Sequence, residues 1–531
     1  MGQVQRLGRL PRSLGIRRMA AQCVIARLNE ADYYHKPEVR ERITSLVEKD
    51  GLGGICVFAG SLTGTANIIA DLQRKAKIPL IIAGDFEHGL RMRLDEGTAF
   101  PHALALGKSD QPELTLSVAE AIAREMSVVG IHWNFAPVVD IFSNPLNPVI
   151  NIRSFGETAE LVSRHARVFI RGLQNERVLA CAKHFPGHGD TSVDSHLDLP
   201  VLTQSADELR AREYEPFRQA IEEGVRSIMV GHLAVPSLDP SNTPASLSPI
   251  IVQQELREKL DYQGLIVTDA LDMKAITRSY DSAAATLAAI KAGSDMALLP
   301  EDPLAAIDAL EEAIRSGEIP RLRMQDSVER ILEAKKWAGA IRQSSQMGAN
   351  DVPQLSLDAH RRIALEASAG ALEWYGRDEK IAPLDQFDVI AGFALVDDGD
   401  IPTATRFFRY LSQCFEKDCH FAFIDHRIRE DEVDSLVADT ADARVVILPV
   451  FARAEVKQDE VQISGRLKTV ARKLAGRRPS VAVLFGNPHV RHTLPATAHL
   501  CVFSNGEGSL AAAARELTTR NRNADDQESQ D

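Results

Sequence analysis

The sequence lacks any apolar run close to the roughly 20 residues that a helix needs to cross a bilayer, so we expect no membrane span. It also lacks an excess of basic residues. Lys and Arg number 61 against 74 Asp and Glu, which gives a net charge of −13 and disfavours nucleic acids and anionic membranes as partners. Six cysteines occur, mostly within apolar segments, so we expect free thiols in a reducing compartment and no disulfide framework.

Motifs for several common kinds of chemistry are missing as well. The chain has no G-x-x-x-x-G-K-[ST] phosphate loop, and its glycine-rich stretch at 51–54 precedes a strand instead of a helix. It also has no G-x-S-x-G nucleophile elbow. We therefore expect no nucleotide site and no cofactor.

The first 18 residues hold five arginines and no acidic residue, which superficially resembles a targeting peptide. They lack the continuous apolar segment of a secretory signal. We interpret them as a basic lead-in to the first helix and expect a cytoplasmic location.

The chain is long, and predicted strands alternate regularly with predicted helices along it. Its 531 residues exceed what one hydrophobic core holds, so two domains are expected. Continuously apolar segments, typical of parallel strands buried on both faces, alternate with segments of helical period. The predicted strands lie at 23–28, 54–60, 79–85, 131–138, 178–184, 227–233, 264–270 and 295–300, and then at 388–396, 419–424, 443–451, 480–486 and 499–504.

Polar residues recur where the first eight predicted strands end: Asp85, Asp140, Lys183–His184, His232 and Asp269. Eight parallel strands form either an open doubly wound sheet or a closed (β/α)8 barrel. An open sheet places a ligand at one switch point, whereas a barrel gathers all its strand ends on one face. The many polar strand ends therefore favour an α/β fold of the TIM-barrel type.

The remaining chain suggests how the domains are divided. We predict a barrel over 1–341, a polar linker over 342–356, a smaller αβα sandwich over 357–516 and a disordered tail over 517–531.

The segment 183–200, KHFPGHGDTSVDSHLDLP, concentrates ionisable groups after a predicted strand. A metal site, an acid/base site and a simple polar turn are the three interpretations. His184 and His188 are four residues apart, as on a zinc-binding helix, but intervening proline and glycine disfavour a helix. Phe185 also occupies the place of the glutamate in H-E-x-x-H. We therefore expect no metal.

Acid/base chemistry fits the segment better. Asp194 and His196 are two apart, so in extended backbone the carboxylate can accept from the imidazole and raise its basicity. The plainer interpretation is that His196 only completes a local hydrogen bond. Asp269 follows an apolar strand, where a buried carboxylate is costly and therefore tends to be functional. Asp272 is the alternative group, although it could instead cap the next helix.

These motifs carry a resemblance. The segment at 183–196 strongly resembles that of glycoside hydrolase family 3 β-N-acetylglucosaminidases, the NagZ-like enzymes that act on β-linked N-acetylhexosamines and peptidoglycan fragments. The resemblance covers roughly residues 20–340 well, and the second domain more weakly resembles the αβα domain of two-domain members. Further matching motifs, in chain order, are GGICVFAG, GDFEHG, NFAPVVDI, NIRSFGE, SIMVGHLAVP, GLIVTDALDM, AGSDMALLP and, in the second domain, LFGNPH.

The resemblance implies a retaining mechanism and a role for each matching catalytic residue. Asp269 matches the catalytic nucleophile, while Asp194 and His196 match the dyad in which histidine serves as acid and base. His196 would protonate the glycosidic oxygen as Asp269 attacks the anomeric carbon, and would then activate water.

The resemblance also implies sugar-binding residues. Lys183 and His184 match ligands of sugar hydroxyls, and Asp85 and Arg153 match further residues of the non-reducing sugar subsite. The family's common DQEGG stands here as DFEHG at 85–89, which keeps Asp85 but puts fine substrate preference in doubt. His188 and Asp190 are expected only to hold the turn of their segment.

Other functions stay open at this point. A β-glucosidase of the same family usually lacks the Asp-x-His dyad. A glycoside phosphorylase would use phosphate as acceptor, which a neutral imidazole repels less than a carboxylate does. A non-catalytic binding or scaffold protein built on the barrel is the remaining alternative. The expected partner of the glycosidase is a carbohydrate with β-linked N-acetylglucosamine, and neither the aglycone nor the oligomeric state follows from the sequence.

Overall fold

Two compact units make up the chain. The computed structural model describes residues 14–191, 199–340, 357–377, 381, 383–415, 417–452, 455–457, 460–476 and 478–519. Residue contacts group Met1–Thr98 with Thr115–His360 in a first unit, and Ala99–Leu114 with Arg361–Asp531 in a second. The predicted linker at 342–356 lies outside the described residues.

The described part of the first unit is an α/β structure built on parallel strands. Its strands are β1 (Val24–Asn29), β2 (Gly54–Ala59), β3 (Ile81–Gly84), β4 (Trp133–Asn134), β5 (Cys181–Phe185), β6 (Ser227–Val230), β7 (Leu265–Thr268) and β8 (Ala297–Leu298). They form one sheet in the order β4-β3-β2-β1-β8 and another in the order β5-β6-β7, with every pairing parallel. Strands β3, β5, β6 and β7 are buried throughout, as continuous apolar runs predict.

Helices connect these strands, and local sequence sets where they begin. Ser61 Oγ accepts from the amide of Gly64 at 3.0 Å. Asp302 Oδ1 accepts from the amide of Leu304 at 3.0 Å, just before a helix that opens with proline. The α-helices of the first unit are Ile16–Gln22, Glu30–His35, Pro37–Ser45, Leu62–Lys75, Pro112–Val129, Ala159–Asn175, Ala206–Glu208, Glu215–Glu222, Lys274–Thr277, Ser282–Ala292, Pro303–Ser316 and Arg321–Trp337, with π-helical turns at Leu46–Asp50, Leu209–Glu213 and Ile250–Lys259.

The described part of the second unit is built on a second, mostly parallel sheet. Its strands are β9 (Glu373–Tyr375), β10 (Val389–Leu395), β11 (Asp418–Ile424), β12 (Val445–Val450), β13 (Glu455–Lys457), β14 (Glu460–Gln462), β15 (Ser480–Leu484) and β16 (Ala498–Cys501). The main sheet has the order β11-β10-β12-β15-β16-β9, in which β9 alone is antiparallel to its neighbour. Strands β13 and β14 form a separate antiparallel pair. The α-helices are Ala103–Ser109, Leu357–Ala369, Ile401–Cys414, Glu430–Asp439, Gly465–Ala475 and Glu507–Thr518.

The second unit includes a stretch of chain from far upstream. The backbone amide of His102 donates to Ser504 Oγ at 3.2 Å, and the His102 ring lies 2.9 Å from the same oxygen. A side chain at Gly506 would come within 3.0 Å of the carbonyl oxygen of Phe100, so the two backbones approach closely there. Residues 99–114 therefore belong to the same compact unit as the C-terminal sheet.

The interior of the first unit contains a buried lysine that has few polar contacts among the described residues. Lys335 lies in the helix Arg321–Trp337 and is fully buried. Its Nζ donates to Gln22 Oε1 at 2.6 Å. Burial lowers the pKa of Lys335 to about 7, because a charged ammonium loses its hydration there.

Candidate active site

Three adjacent strands of the first unit end in polar side chains. Lys183 and His184 belong to β5, His232 follows β6 and Asp269 follows β7. The amide of Asp269 donates to the carbonyl oxygen of Val230 at 2.9 Å, which extends the pairing of β6 and β7 past the last strand residue. The carboxyl ends of parallel strands lie at one edge of a sheet, so the strand register brings these groups together.

Five charged side chains form a connected cluster beside these strand ends. Lys183 Nζ donates to Asp85 Oδ1 at 2.8 Å and lies 2.7 Å from Glu87 Oε1. Arg93 Nη2 donates to the other oxygen of Asp85 at 2.8 Å. Arg153 donates to both oxygens of Glu87, at 2.7 Å and 3.0 Å. The cluster therefore joins Lys183, Asp85 and Arg153, three of the residues predicted to bind the sugar.

Ion pairing keeps this cluster charged in spite of its burial. Burial raises the pKa of Asp85, but Lys183 and Arg93 outweigh that effect and lower it below its ordinary value. The pKa of Glu87 is held well below its ordinary value in the same way, by Arg153 and Lys183. Burial lowers the pKa of Lys183, yet the two carboxylates raise it overall. Charged donors and acceptors fixed in this way suit the recognition of sugar hydroxyls.

A buried carboxylate, Asp140, orients His184. The amide of His184 donates to Asp140 Oδ1 at 3.1 Å, and its ring Nδ1 lies 2.7 Å from Oδ2. The amide of His188 donates to Oδ1 at 2.7 Å. Because Nδ1 is committed to Asp140, Nε2 is the ring nitrogen of His184 that can meet a ligand, and within the described residues it makes no hydrogen bond.

Asp269 is an ionised carboxylate at neutral pH. Burial would raise its pKa, but His184 and His232, together with the amide of Ala270 and with Lys183, lower the pKa below its ordinary value. The Ala270 amide donates to Asp269 Oδ1 at 2.8 Å. An ionised carboxylate held among potential cations can attack an electrophilic carbon or stabilise a positive transition state.

Asp272, the alternative carboxylate, has a different position. It forms an ion pair with Arg27, whose guanidinium stacks 3.8 Å from the centre of the Phe58 ring. The next helix, Lys274–Thr277, begins after Met273 and has no side-chain cap. The idea that Asp272 caps this helix is therefore wrong.

The predicted acid/base pair, Asp194 and His196, lies outside the described residues, so its roles stay a prediction. The segment before it is described. His188 Nδ1 lies 2.8 Å from Thr191 Oγ1, and Arg212 Nη2 donates to Asp190 at 3.0 Å. Both residues thus contact neighbouring polar groups that hold their stretch of chain.

The two departures from the family's DQEGG flank Glu87. Phe86 is fully buried, and its backbone exchanges hydrogen bonds with the Asn134 side chain at 3.0 Å and 3.1 Å. Burial lowers the pKa of His88, which favours its neutral form. Neither departure removes Asp85 or Glu87 from the charged cluster.

The comparisons with known proteins identify the family. The model described as the glycosyl hydrolase family 3 N terminal domain matches residues 18–334. The chain belongs to glycosyl hydrolase family 3. This confirms the family resemblance found in the sequence.

The family 3 chain is similar to several proteins that are named as beta-hexosaminidases. It is 32% identical over 381 residues to a beta-hexosaminidase A from Pseudoalteromonas piscicida, covering 66% of this chain but only 63% of that relative. It is 34% identical to a beta-hexosaminidase from Methylococcus capsulatus, covering 54% of this chain and 90% of the relative. Among solved structures, a family 3 beta-N-acetylglucosaminidase from Paenibacillus sp. str. FPU-7 is 29% identical with a TM-score of 0.85, covering 95% of this chain and 97% of that one.

The candidate site contains Glu87, Arg93 and Asp140, to which the sequence alone assigned no role. Glu87 lies two residues after Asp85 in the same motif, and Asp140 follows a predicted strand. The sequence pattern could therefore have indicated both as site residues. Their partners lie far along the chain: Arg153 for Glu87 and His184 for Asp140. Only the folded arrangement shows these pairings.

The described residues of the family 3 chain lack two kinds of feature. Within that part of the chain no helix is both long and apolar enough to cross a membrane. In the same residues, His, Cys, Asp and Glu side chains form no group of three or more that could hold a metal ion.

Proposed function

We propose that this family 3 chain is a retaining β-N-acetylglucosaminidase that removes terminal, non-reducing, β-linked N-acetylglucosamine, with peptidoglycan fragments as its natural substrates. The observation that carries the proposal is the ionised Asp269 beside the charged cluster of Lys183, Asp85, Glu87 and Arg153. The likeness to the Paenibacillus β-N-acetylglucosaminidase over 95% of the chain supports it. A cytoplasmic location is part of this proposal.

The proposed architecture is a closed (β/α)8 barrel followed by an αβα sandwich. Two single parallel bridges support closure, because they continue the strand series between the two sheets of the first unit. Trp133 pairs with Leu179 near β4 and β5, and Val267 pairs with Met296 near β7 and β8. Closure would put the ends of all eight strands around one site.

In the proposed mechanism Asp269 attacks the anomeric carbon and forms a covalent glycosyl-enzyme. His196, oriented by Asp194, protonates the departing oxygen, so the aglycone leaves as a neutral alcohol. His196, now neutral, takes a proton from water as that water attacks the anomeric carbon and releases Asp269. Two inversions at this carbon retain the β configuration.

The charged cluster would hold the sugar during both steps. Carboxylates Asp85 and Glu87 accept from hydroxyl groups, while Lys183, Arg153 and the Nε2 of His184 donate to oxygen atoms. Because Lys183 is bridged to Asp85 and Glu87 in the free protein, little ordering is needed when sugar binds.

A direct assay tests the activity. The protein is incubated with p-nitrophenyl β-N-acetylglucosaminide and p-nitrophenyl β-glucoside, each with and without inorganic phosphate. We expect release from the first substrate, with N-acetylglucosamine as product and no dependence on phosphate. Release from the glucoside alone would indicate a β-glucosidase, and phosphate-dependent formation of the sugar 1-phosphate would indicate a phosphorylase.

Two substitutions test the assigned roles. Asp269→Ala should abolish turnover, and a slowly released fluorinated substrate analogue should label the peptide that contains Asp269 in the wild-type protein. Asp272→Ala is the matched control and should keep most activity, because Asp272 pairs with Arg27. His196→Ala should impair substrates with basic leaving groups more than activated ones, since protonation matters most for a basic alcohol. Equal losses on both would contradict the role of His196.

A further inference from the structure

His232 is a fully buried histidine to which the proposed mechanism gives no role. It follows β6, and none of its surface is exposed. Both ring nitrogens have polar partners: Nδ1 lies 2.7 Å from Ser246 Oγ, and Nε2 lies 2.9 Å from the carbonyl oxygen of Ala270. The His232 ring therefore connects the end of β6 to the residue that directly follows the proposed nucleophile, Asp269.

The two contacts of His232 decide which nitrogen carries the hydrogen. A carbonyl oxygen can only accept, so Nε2 donates to Ala270. Burial lowers the pKa of His232, although the Asp269 carboxylate acts in the opposite direction, so the neutral ring is favoured. In the neutral ring Nδ1 has a lone pair, to which the Ser246 hydroxyl donates. Ser246 thus fixes both the tautomer and the orientation of the His232 ring.

Backbone contacts place Ser246 beside this ring. Ser246 is fully buried and lies in the 3-10 turn Ala245–Leu247. The amide of Ala245 donates to the carbonyl oxygen of Leu233 at 2.8 Å, which ties the turn to the residue after His232. The pair of side chains is therefore held in place by the backbone before any substrate binds.

The backbone around Asp269 is anchored at consecutive residues, and His232 supplies one of the anchors. The amide of Leu271 donates to the carbonyl oxygen of Leu298 at 2.8 Å. One residue earlier, the Ala270 amide donates to Asp269 Oδ1 at 2.8 Å, and the Ala270 carbonyl accepts from His232. Loss of the His232 contact would free Ala270, whose amide orients the carboxylate.

This arrangement distinguishes the two oxygens of Asp269. Oδ1 accepts from the Ala270 amide, whereas within the part of the chain that the structure describes no hydrogen bond reaches Oδ2. Oδ2 is therefore the oxygen available to form the bond to the anomeric carbon as the glycosidic bond breaks and the aglycone departs. A turn of the Ala270 amide would rotate the carboxylate and move Oδ2 away from that carbon.

We propose that His232 and Ser246 are positioning residues that hold Ala270, and through its amide the carboxylate of Asp269, in the orientation for attack by Oδ2. The inference rests on the hydrolysis proposed above. His232 and Ser246 act through Ala270 and leave the chemistry to Asp269. A displacement of about 1 Å in a reacting group is enough to lower a rate by roughly 100-fold.

The test separates attack by Asp269 from proton donation and from sugar binding. It compares phenyl and 2,4-dinitrophenyl β-N-acetylglucosaminides, of which only the first has a leaving group that needs an acid. For His232→Ala we expect kcat/KM to fall by about 100-fold with both substrates, because both require the same attack. The inhibition constant of N-acetylglucosamine should change by less than about threefold, because the charged cluster is unaltered.

Smaller changes keep the test decisive if His232→Ala does not fold. His232→Gln keeps an N–H donor that can reach Ala270 and should recover about tenfold of the loss. Ser246→Ala removes the hydroxyl that fixes the ring and should lower kcat/KM by about fivefold to tenfold with both substrates. Thermal melting of each variant separates loss of folded protein from loss of positioning.

Ser248→Ala is the matched control. Ser248 is as fully buried as Ser246 and lies two residues away, but its hydroxyl donates to Asp239. The substitution removes a buried hydroxyl from the same stretch of chain and leaves the His232 ring with both of its partners. It should keep kcat/KM within about twofold of the wild-type value for both substrates.

The outcomes separate this inference from the proposed function. Unchanged kcat/KM in Ser246→Ala and in a folded His232 variant would overturn the inference while the wild-type activity stands. A loss confined to the phenyl substrate, an inhibition constant that rises as much as kcat/KM falls, or an equal loss in Ser248→Ala would also overturn it. A wild-type protein inactive on both substrates would overturn the proposed function and the inference with it. Equal losses with both substrates at an unchanged inhibition constant support the inference.

Discussion

Replacing Lys335 with methionine should stabilise the first unit at neutral pH. Lys335 is fully buried, and Gln22 Oε1, at 2.6 Å, is its hydrogen-bond partner in the described chain. Methionine has a similar length and carries no charge, so Lys335→Met removes the cost of burying an ammonium group. It also leaves the Gln22 oxygen without a donor, which costs about 1–3 kcal/mol.

The size of the effect follows from the two pKa values of Lys335. Its pKa is lowered from 10.5 to about 7 in the folded chain. Between these values the unfolded chain binds a proton that the folded chain does not, so the free energy of unfolding rises with pH across this window. At about 1.4 kcal/mol per pKa unit, Lys335 costs on the order of 4 kcal/mol at pH 7 and about 2 kcal/mol at pH 9. The loss at Gln22 is the same at both.

Urea unfolding followed by tryptophan fluorescence measures this, because Trp337 lies in the same helix. Lys335→Met should gain about 1–3 kcal/mol at pH 7, and roughly 2 kcal/mol less at pH 9. Lys336→Met is the matched control, since Lys336 is exposed. A gain that is equal at the two pH values, or a similar gain in Lys336→Met, would refute the reasoning.

Two further substitutions test charged groups of the first unit. Burial raises the pKa of Glu213 from 4.5 to about 7, so the folded chain holds a proton that the unfolded chain has lost, and stability falls as pH rises through this window. Glu213→Gln should therefore raise the free energy of unfolding, measured by urea unfolding, by up to about 3 kcal/mol at pH 8 and by less than about 1 kcal/mol at pH 5. A gain at pH 5 as large as at pH 8 would contradict this. Glu87→Gln should lower kcat/KM for the β-N-acetylglucosaminide about 30-fold or more, because Arg153 and Lys183 lose the anionic partner that they share. A loss of less than about threefold would contradict the proposal that the charged cluster binds the sugar.

Much of the fold follows from the pattern of apolar residues. Every predicted strand overlaps an observed one, because long apolar runs pack into a buried parallel sheet almost regardless of context. The strands missed were β9 and the pair β13 and β14. Strand β9 is three residues long and half-exposed at the sheet edge, so it carries no apolar run to recognise.

The sequence predicts a site residue only where its position along the chain, such as the end of a strand, is enough to recognise it. The strand ends at Lys183, His184 and Asp269 follow from the sequence because each adjoins an apolar strand. The pairing of Glu87 with Arg153 does not, since it depends on how two separate loops approach.

The second unit also constrains how the chain is made. Residues 99–114 belong to it, yet they are synthesised long before the sheet that they join. The apolar side chains of this stretch include Phe100 and Leu104, which are buried in the folded chain. They therefore stay without their final packing partners until the C-terminal sheet has been synthesised. A C-terminal fragment starting at residue 361 would lack part of its own packing. The second unit is therefore complete only when residues 99–114 and the C-terminal residues are both present. No single cut in the chain yields two fragments that each contain one whole unit.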